Sequence, residues 1–190
     1  MNGGASLRCF IALGIPDDIR WYLCSIIARL QTSGADVKWV GPDNIHLTLK
    51  FLGACSPEQV EAVTTQLSGL KGSYRRIEAA LDRIGVFPDH NRPQVIWAGL
   101  ALQDQTVRQL QQEIEQRMGS AGFPRETKPF KPHLTLGRMR SLRKADALTG
   151  MMQREPLERR GFVINSVSLM KSDLRPAGPF YQPLLTIGLE

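Results

Sequence analysis

The 190-residue chain lacks several features that would place it in a specialised class of protein. No apolar run approaches the roughly 20 residues that a membrane-spanning helix needs, and no low-complexity tract interrupts the sequence. The apolar stretch near the start is followed at once by charged helix-start residues, so we interpret it as a strand and not as a signal peptide. The three cysteines are odd in number and scattered, which excludes a disulfide framework and favours a cytoplasmic protein.

The composition is that of an ordinary globular protein with a basic surplus. Hydrophobic residues make up 42% and charged residues 22%, so a chain of this length needs no disulfide or structural metal to fold. Lys and Arg number 24 against 18 Asp and Glu, a net charge of +6. This surplus is weak evidence for a polyanionic partner such as RNA or DNA, and it fits a merely basic soluble protein equally well.

The most informative feature is an internal repeat. The tetrapeptide His-Leu-Thr-Leu occurs at 46–49 and again at 133–136, an offset of 87 residues. A predicted strand and an amphipathic helix precede each copy. The predicted strands are Leu7–Leu13 and Gln94–Leu100, and the predicted helices run from about Pro16 to Leu30 and from about Gln105 to Met118.

A serine after each tetrapeptide is predicted to begin another helix. Ser56 starts a capping-box pattern, and Ser141 stands at the corresponding place in the second repeat. Further strands are predicted near Ile77–Ile84, Phe162–Met170 and Leu184–Leu189. We therefore expect one α+β domain over 1–190, with pseudo-repeats at about 1–86 and 87–171, a joint at 87–93, and a C-terminal strand segment at 172–190.

Each tetrapeptide alternates as a half-buried strand does, so its histidine and threonine share one face, about 7 Å apart. If a pseudo-two-fold axis relates the repeats, the two His/Thr pairs converge on one cleft. The alternation predicts a core-facing set and a cleft-facing set. The first is Ile45, Leu47, Leu49, Phe51, Leu134 and Leu136, and the second is His46, Thr48, Lys50, His133 and Thr135.

Two histidines and two threonines on one cleft suit metal-free phosphoryl transfer. One imidazole can act as general base and the other as general acid. The threonine hydroxyls can donate to an anionic oxygen, and Arg138 can add positive charge. No metal-ligand spacing accompanies these residues, so neither a metal nor another cofactor is expected. The alternative is a degenerate duplication that has no active site.

The residues that carry these motifs resemble the 2H phosphoesterase superfamily, named for paired H-x-T-x motifs, and within it the RNA 2′,3′-cyclic phosphodiesterase branch, historically called 2′-5′ RNA ligase. Neither motif departs from the family pattern. The matching stretches span the chain: LRCFIALGIP, WVGPDNIHLTLKFLG, GVFPDHNRPQVIWAGL, PFKPHLTLGR and SVSLMKSDLRPAGPFYQPL.

The resemblance implies a bilobal fold of two pseudo-symmetric lobes, each with an antiparallel sheet and outer helices, and an active-site cleft between them. It implies a hydrolase in RNA processing that converts a terminal RNA 2′,3′-cyclic phosphate to a 2′-phosphate. It assigns His46 as proton donor and His133 as proton acceptor, with Thr48, Thr135 and Arg138 binding the phosphate. RNA with a cyclic phosphate end, or a small cyclic-phosphate nucleotide, is the expected partner; no membrane is, and we expect a monomer.

Several alternatives stay open at this point. The same cleft could join RNA ends through a 2′-5′ linkage, cleave 2′-5′ oligonucleotides, or bind RNA ends without catalysis. Aromatic residues near the motifs could stack on RNA bases, although core packing is the preferred interpretation for each, and basic residues could hold backbone phosphates. The aromatic candidates are Phe51, Phe130 and Tyr181, and the basic candidates are Lys128, Lys131 and Arg92.

Overall fold

The computed structural model describes residues 6–176 and 178–190, and over this range the chain forms nine strands and four α-helices. The strands are β1 (Leu7–Leu13), β2 (Val37–Trp39), β3 (Leu47–Cys55), β4 (Ile77–Phe87), β5 (Val95–Leu102), β6 (His133–Met139), β7 (Gly161–Ile164), β8 (Ser166–Arg175) and β9 (Gly178–Gly188). The helices are α1 (Asp17–Gln31), α2 (Pro57–Ser68), α3 (Thr106–Ser120) and α4 (Ala145–Arg154), and a short 3-10 helix, Pro42–Asn44, precedes β3.

The strands form one continuous antiparallel sheet. Its order is β7-β4-β5-β6-β3-β1-β8-β9, and β2 pairs with β6 beside this path. On β5, Ile96 and Ala98 are fully buried, whereas Trp97 between them is partly exposed. One face of the sheet therefore carries the core and packs on the helices, with α2 and α3 both against β3. This architecture confirms the predicted α+β class.

The two halves of the sheet exchange strands between the sequence repeats. Strand β4 follows the first tetrapeptide but pairs with β5 of the second repeat, and β8 follows the second tetrapeptide but pairs with β1 of the first. The helices also pack across the repeats: α1 of the first repeat contacts α4 of the second, and α2 of the first contacts α3 of the second. The segment 87–93, predicted as the joint, leads from β4 into the neighbouring strand β5.

The helix starts follow from local sequence chemistry. At α2, the Ser56 hydroxyl accepts a hydrogen bond from the Gln59 backbone at 3.3 Å, and the Gln59 side chain accepts one from the Ser56 backbone at 2.9 Å. This reciprocal pair satisfies two backbone donors that would otherwise lack partners, and it confirms the predicted capping box. Pro57 occupies the first helical turn, where its missing N–H costs nothing.

The prediction that Ser141 begins a helix is wrong. Its hydroxyl donates to Asp36 at 2.8 Å, across to the segment before β2. Helix α4 begins only at Ala145, after Lys144 in a left-handed conformation with φ of 57°. The competing side-chain partner from a distant segment therefore overrides the local capping signal.

The strand predicted over Phe162–Met170 is divided at Asn165. Strand β7 pairs with β4, whereas β8 pairs with β1 and β9 at the other end of the sheet. A single alternating pattern thus covers two strands with different partners. Strand β2 was not predicted, since three residues are too few to establish a period.

Candidate active site

The two tetrapeptides lie on neighbouring strands of the sheet. Strands β3 and β6 are antiparallel, with Leu47 opposite Leu134. Extending this register by one residue in each direction sets Thr48 opposite His133 and His46 opposite Thr135. Directly opposed side chains share a face, with Cβ atoms roughly 5 Å apart. The structure therefore brings the four predicted side chains together on one face, each histidine beside the threonine of the other motif.

Arg138 reaches this face through a β-bulge. Strict alternation would turn it toward the core with Leu134 and Leu136. However, Trp97 pairs with Thr135 and Ile96 with Gly137, so Leu136 is an extra residue in β6. After the bulge, Arg138 pairs with Val95, which shares the face of Trp97. The exposed guanidinium therefore stands on the histidine face.

A matching bulge in β3 overturns two of the predicted orientations. Ala12 pairs with Thr48 and Ile11 with Lys50, which leaves Leu49 as the extra residue. Phe51, predicted in the core, is therefore 68% exposed on the histidine face. Lys50, predicted in the cleft, is 5% exposed. Phe51 and Arg138 differ by the 87-residue offset and occupy equivalent positions in the two repeats.

Burial of the Lys50 ammonium is compensated by an ion pair. Its Nζ lies 2.7 Å from Glu115 Oε2 on α3 and donates to the carbonyl of Pro124 at 2.9 Å. The same carboxylate oxygen accepts from the backbone N–H of Glu126 at 3.2 Å. A buried ammonium keeps its charge only with such partners. The pair thereby fixes the segment that leads into β6 against the strand that carries the first motif.

His46 lies in an aromatic enclosure. Phe10 of β1 stacks on its imidazole with ring centroids 4.8 Å apart, and Tyr181 of β9 packs edge-on at 5.3 Å. Burial lowers the pKa of His46 to about 4, against an ordinary value of 6.5. A hydrogen bond with the backbone of Asn44 acts in the opposite direction, and the charge of His133 lowers the pKa further. In the free protein His46 is therefore neutral at pH 7.

His133 is oriented by a backbone carbonyl. Its Nδ1 lies 2.7 Å from the carbonyl oxygen of Lys131, which can only accept, so Nδ1 carries the proton and Nε2 is the acceptor of the neutral ring. Phe87 packs edge-on against the imidazole at 5.1 Å. Burial lowers the pKa of His133; the Lys131 carbonyl raises it, and the charge of Arg138 lowers it. This ring is set up to take a proton at Nε2.

Tyr181 lies on the hairpin of β8 and β9, beside the first motif. Burial raises the pKa of its hydroxyl, while the charges of Arg138 and Arg8 act in the opposite direction. The hairpin that carries Tyr181 is held over the first motif, since Asn44 donates to the Pro179 carbonyl at 2.9 Å.

Sequence reasoning did not single out Phe10, Phe87 or Arg8. One available signal was that Phe10 and Trp97 differ by the same 87-residue offset as the histidines, and Trp97 stacks on Phe87 at 5.0 Å. Phe10 and Trp97 are therefore equivalent positions of the repeat, whereas Phe87 and Tyr181 have no aromatic counterpart at that offset.

The remaining predicted candidates are spread around the site. Phe130 packs partly buried against the core, as preferred from the sequence. Lys131 lies near the site, with its ammonium 5.7 Å from the Phe87 ring centroid. Lys128 and Arg92 are exposed, on the segment before β6 and on the β4–β5 connection. Their predicted contact with backbone phosphates stays a prediction.

A cavity of about 490 Å³ lies elsewhere, against β4, β5 and β7. Its charged lining residues are Glu78 and Arg159, and neither histidine contributes to it. The four side chains of the two motifs therefore lie outside this cavity, on the sheet face described above. Within residues 6–176 and 178–190, no cluster of His, Cys, Asp and Glu is arranged to hold a metal ion, and no helix is long and apolar enough to cross a membrane.

Comparison with known proteins identifies the family. The sequence model of the LigT-like phosphoesterase family matches residues 13–97 and 100–181. The chain belongs to the LigT-like phosphoesterase family. This confirms the resemblance to the 2H superfamily, and the two matched segments carry one motif each.

Curated relatives match this phosphoesterase over most of its length. An RNA 2′,3′-cyclic phosphodiesterase of Methanothermobacter thermautotrophicus is 30% identical over 92% of this chain and 95% of the relative. One of Aeropyrum pernix is 32% identical over 85% and 93%. Among solved structures, a Thermus thermophilus protein has a TM-score of 0.79 at 24% identity, covering 96% of this chain and 98% of that one. Escherichia coli LigT complexed with 3′-AMP has a TM-score of 0.78 at 23% identity, covering 97% and 98%. The structural likeness shows a shared fold.

Proposed function

We propose that this phosphoesterase hydrolyses the 2′,3′-cyclic phosphate at the end of an RNA to a 2′-phosphomonoester, without a metal ion. The observation that carries the proposal is the register of Leu47 opposite Leu134, which supports a single site with two imidazoles and two hydroxyls on one face. The names of the curated relatives support the substrate class. Only RNA has the 2′-oxygen that this ring requires.

In the proposed reaction, His133 Nε2 accepts a proton from a water molecule as the water oxygen attacks phosphorus. The bond between phosphorus and the 3′-oxygen breaks, and His46 donates a proton to that oxygen. Atoms and charge balance, because one proton enters the protein and one leaves it. Thr48 and Thr135 donate to the non-bridging oxygens, and Arg138 stabilises the charge that develops on them.

With its pKa lowered to about 4, His46 can act as the proton donor only if bound substrate raises that pKa. A neutral imidazole cannot donate the proton, and the free protein holds His46 neutral at pH 7. A cyclic phosphate is a monoanion, and an adjacent negative charge favours the imidazolium form. We therefore infer that substrate binding and protonation of His46 are coupled, so that the acid is charged mainly when a phosphate is present.

The test is product analysis on a short RNA with a cyclic phosphate end, in the presence of EDTA. We expect a 2′-phosphate product, and we expect His46→Ala and His133→Ala to lower the rate by at least about a hundredfold each. His90→Ala is the matched control, since His90 is an exposed loop histidine and should keep full activity. A 3′-phosphate product, loss of wild-type activity in EDTA, or full activity in either motif variant would contradict the proposal.

A further inference from the structure

Two side chains on the histidine face have no role in the proposed phosphate chemistry. Arg8 is exposed, and among the described residues its guanidinium has no ion pair and no side-chain hydrogen bond. Phe51 is an aromatic side chain with 68% of its surface exposed. A large exposed apolar ring beside an uncompensated cation is typical of a surface that binds a ligand, and the ligand must suit both groups.

The two side chains flank the aromatic residue that supports His46. Arg8 precedes Phe10 by two residues on the regular strand β1, so they share a face, and Phe51 lies opposite Phe10 on β3. Phe10 itself stacks on His46. Arg8 and Phe51 therefore lie next to Phe10, the residue whose ring stacks on His46.

This location is the opposite end of the His/Thr group from Arg138. Because β3 and β6 are antiparallel, the residues that follow each motif diverge: Phe51 lies beyond Thr48, and Arg138 lies beyond Thr135. At equivalent positions after the two bulges, one end of the site therefore carries Arg138 and the other carries Phe51. The two ends present different chemistry to a substrate.

Exposed aromatic rings and arginines are the usual means of binding single-stranded RNA. A base stacks on the ring in any sequence context, and a guanidinium binds a phosphodiester. We propose that Phe51 and Arg8 form a subsite for the nucleotide that precedes the cyclic phosphate end, with its base on Phe51 and the linking phosphodiester on Arg8. The inference rests on the proposed function, because it takes an RNA end as the substrate.

The experiment compares substrates that differ only in the preceding nucleotide. They are 2′,3′-cyclic AMP, the dinucleotide ApA with a 2′,3′-cyclic phosphate, the same dinucleotide with a neutral methylphosphonate linkage, and one with an abasic first position. We expect wild type to prefer the dinucleotide by about tenfold in kcat/KM. The methylphosphonate and the abasic position should each remove part of this preference.

The variants assign each part of the subsite. Arg8→Gln should lose the preference for the charged linkage and become insensitive to the methylphosphonate, while Arg8→Lys should keep part of it. Phe51→Ala should become insensitive to the abasic position. Arg76→Gln is the matched control, because Arg76 is an exposed arginine just before β4, at the end of that strand away from Phe87, and should behave as wild type. Thermal melts monitored by circular dichroism confirm that each variant is folded.

Equal wild-type kcat/KM for the mononucleotide and the dinucleotide would overturn the subsite. So would an Arg8→Gln variant that slows both substrates by the same factor. If wild type hydrolyses neither substrate, the proposed function fails, and equilibrium binding then decides the subsite separately. The dinucleotide ending in a 2′-phosphate should bind more tightly than 2′-AMP through Arg8, and equal Kd values would refute the inference.

Discussion

The pKa of His46 depends on its aromatic cover, and removing part of that cover should raise it. A pKa of about 4 in place of 6.5 means that the site favours the neutral imidazole by about 3 kcal/mol. At pH 7 only about one His46 side chain in a thousand is then protonated, against about a quarter at the ordinary pKa. The cause is burial, to which the Tyr181 ring contributes from a hairpin that does not carry the motifs.

Tyr181→Ala opens His46 to water, and we expect its pKa to rise toward 6.5. Nuclear magnetic resonance titration of the imidazole Cε1–H signals measures it directly, with His46→Gln to assign the resonance. Tyr181→Phe is the control, since it keeps the ring and removes only the hydroxyl, and its His46 should titrate as in wild type. An unchanged pKa in Tyr181→Ala would refute the reasoning that burial by this ring holds the imidazole neutral.

The same shift has a kinetic consequence. The proposed reaction needs protonated His46 and neutral His133, and kcat/KM reports the pKa values of the free enzyme. Burial lowers both pKa values, so the maximum of kcat/KM should lie below pH 6.5 in wild type. In Tyr181→Ala it should move to higher pH.

Three further predictions concern stability. Lys50→Ala leaves Glu115 without its buried partner and should lower the free energy of unfolding by about 3 kcal/mol, measured by urea denaturation. Gly85→Ala drives a Cβ into the Trp97 ring and should cost about 1–3 kcal/mol in the same assay. The lowered pKa of His46 means that the unfolded chain binds more protons between pH 6.5 and 4, so the protein should lose stability as pH falls through that window, and His46→Gln should reduce this loss.

The repeat, most of the element order and the shared face of the histidine and threonine in each motif could be predicted from sequence, because each rests on a local signal. Strand alternation located His46 and His133, and a capping box located α2. The orientation of side chains beyond the motifs could not be predicted in this way. One extra residue in each motif strand, Leu49 and Leu136, reverses the alternation that follows it, and the bulge is visible only in the pairing with the neighbouring strand.

The pairing of β4 and β8 with strands of the other repeat could not be predicted from local sequence patterns either. A strand records in its sequence which face is buried, and not which neighbour it pairs with. Strand β8 lies beside β1, more than 150 residues earlier in the chain, and only the whole sheet decides that contact. The predicted α+β class with antiparallel pairing is therefore right, and the sheet is one continuous structure in which each half is assembled from both repeats.

A two-fold repeat supplies two equivalent imidazoles, but acid–base catalysis needs them to differ. The imidazoles of His46 and His133 have different surroundings in the structure. The Lys131 carbonyl fixes the tautomer of His133 and leaves Nε2 free to accept, whereas His46 is stacked against Phe10 and is the ring whose protonation is most strongly opposed by burial. In the proposed reaction, the negative charge of a bound phosphate would favour the imidazolium form of His46. We infer that the repeat positions the two histidines and that their unequal aromatic neighbours, Phe10 and Phe87, make one of them dependent on substrate for its charge.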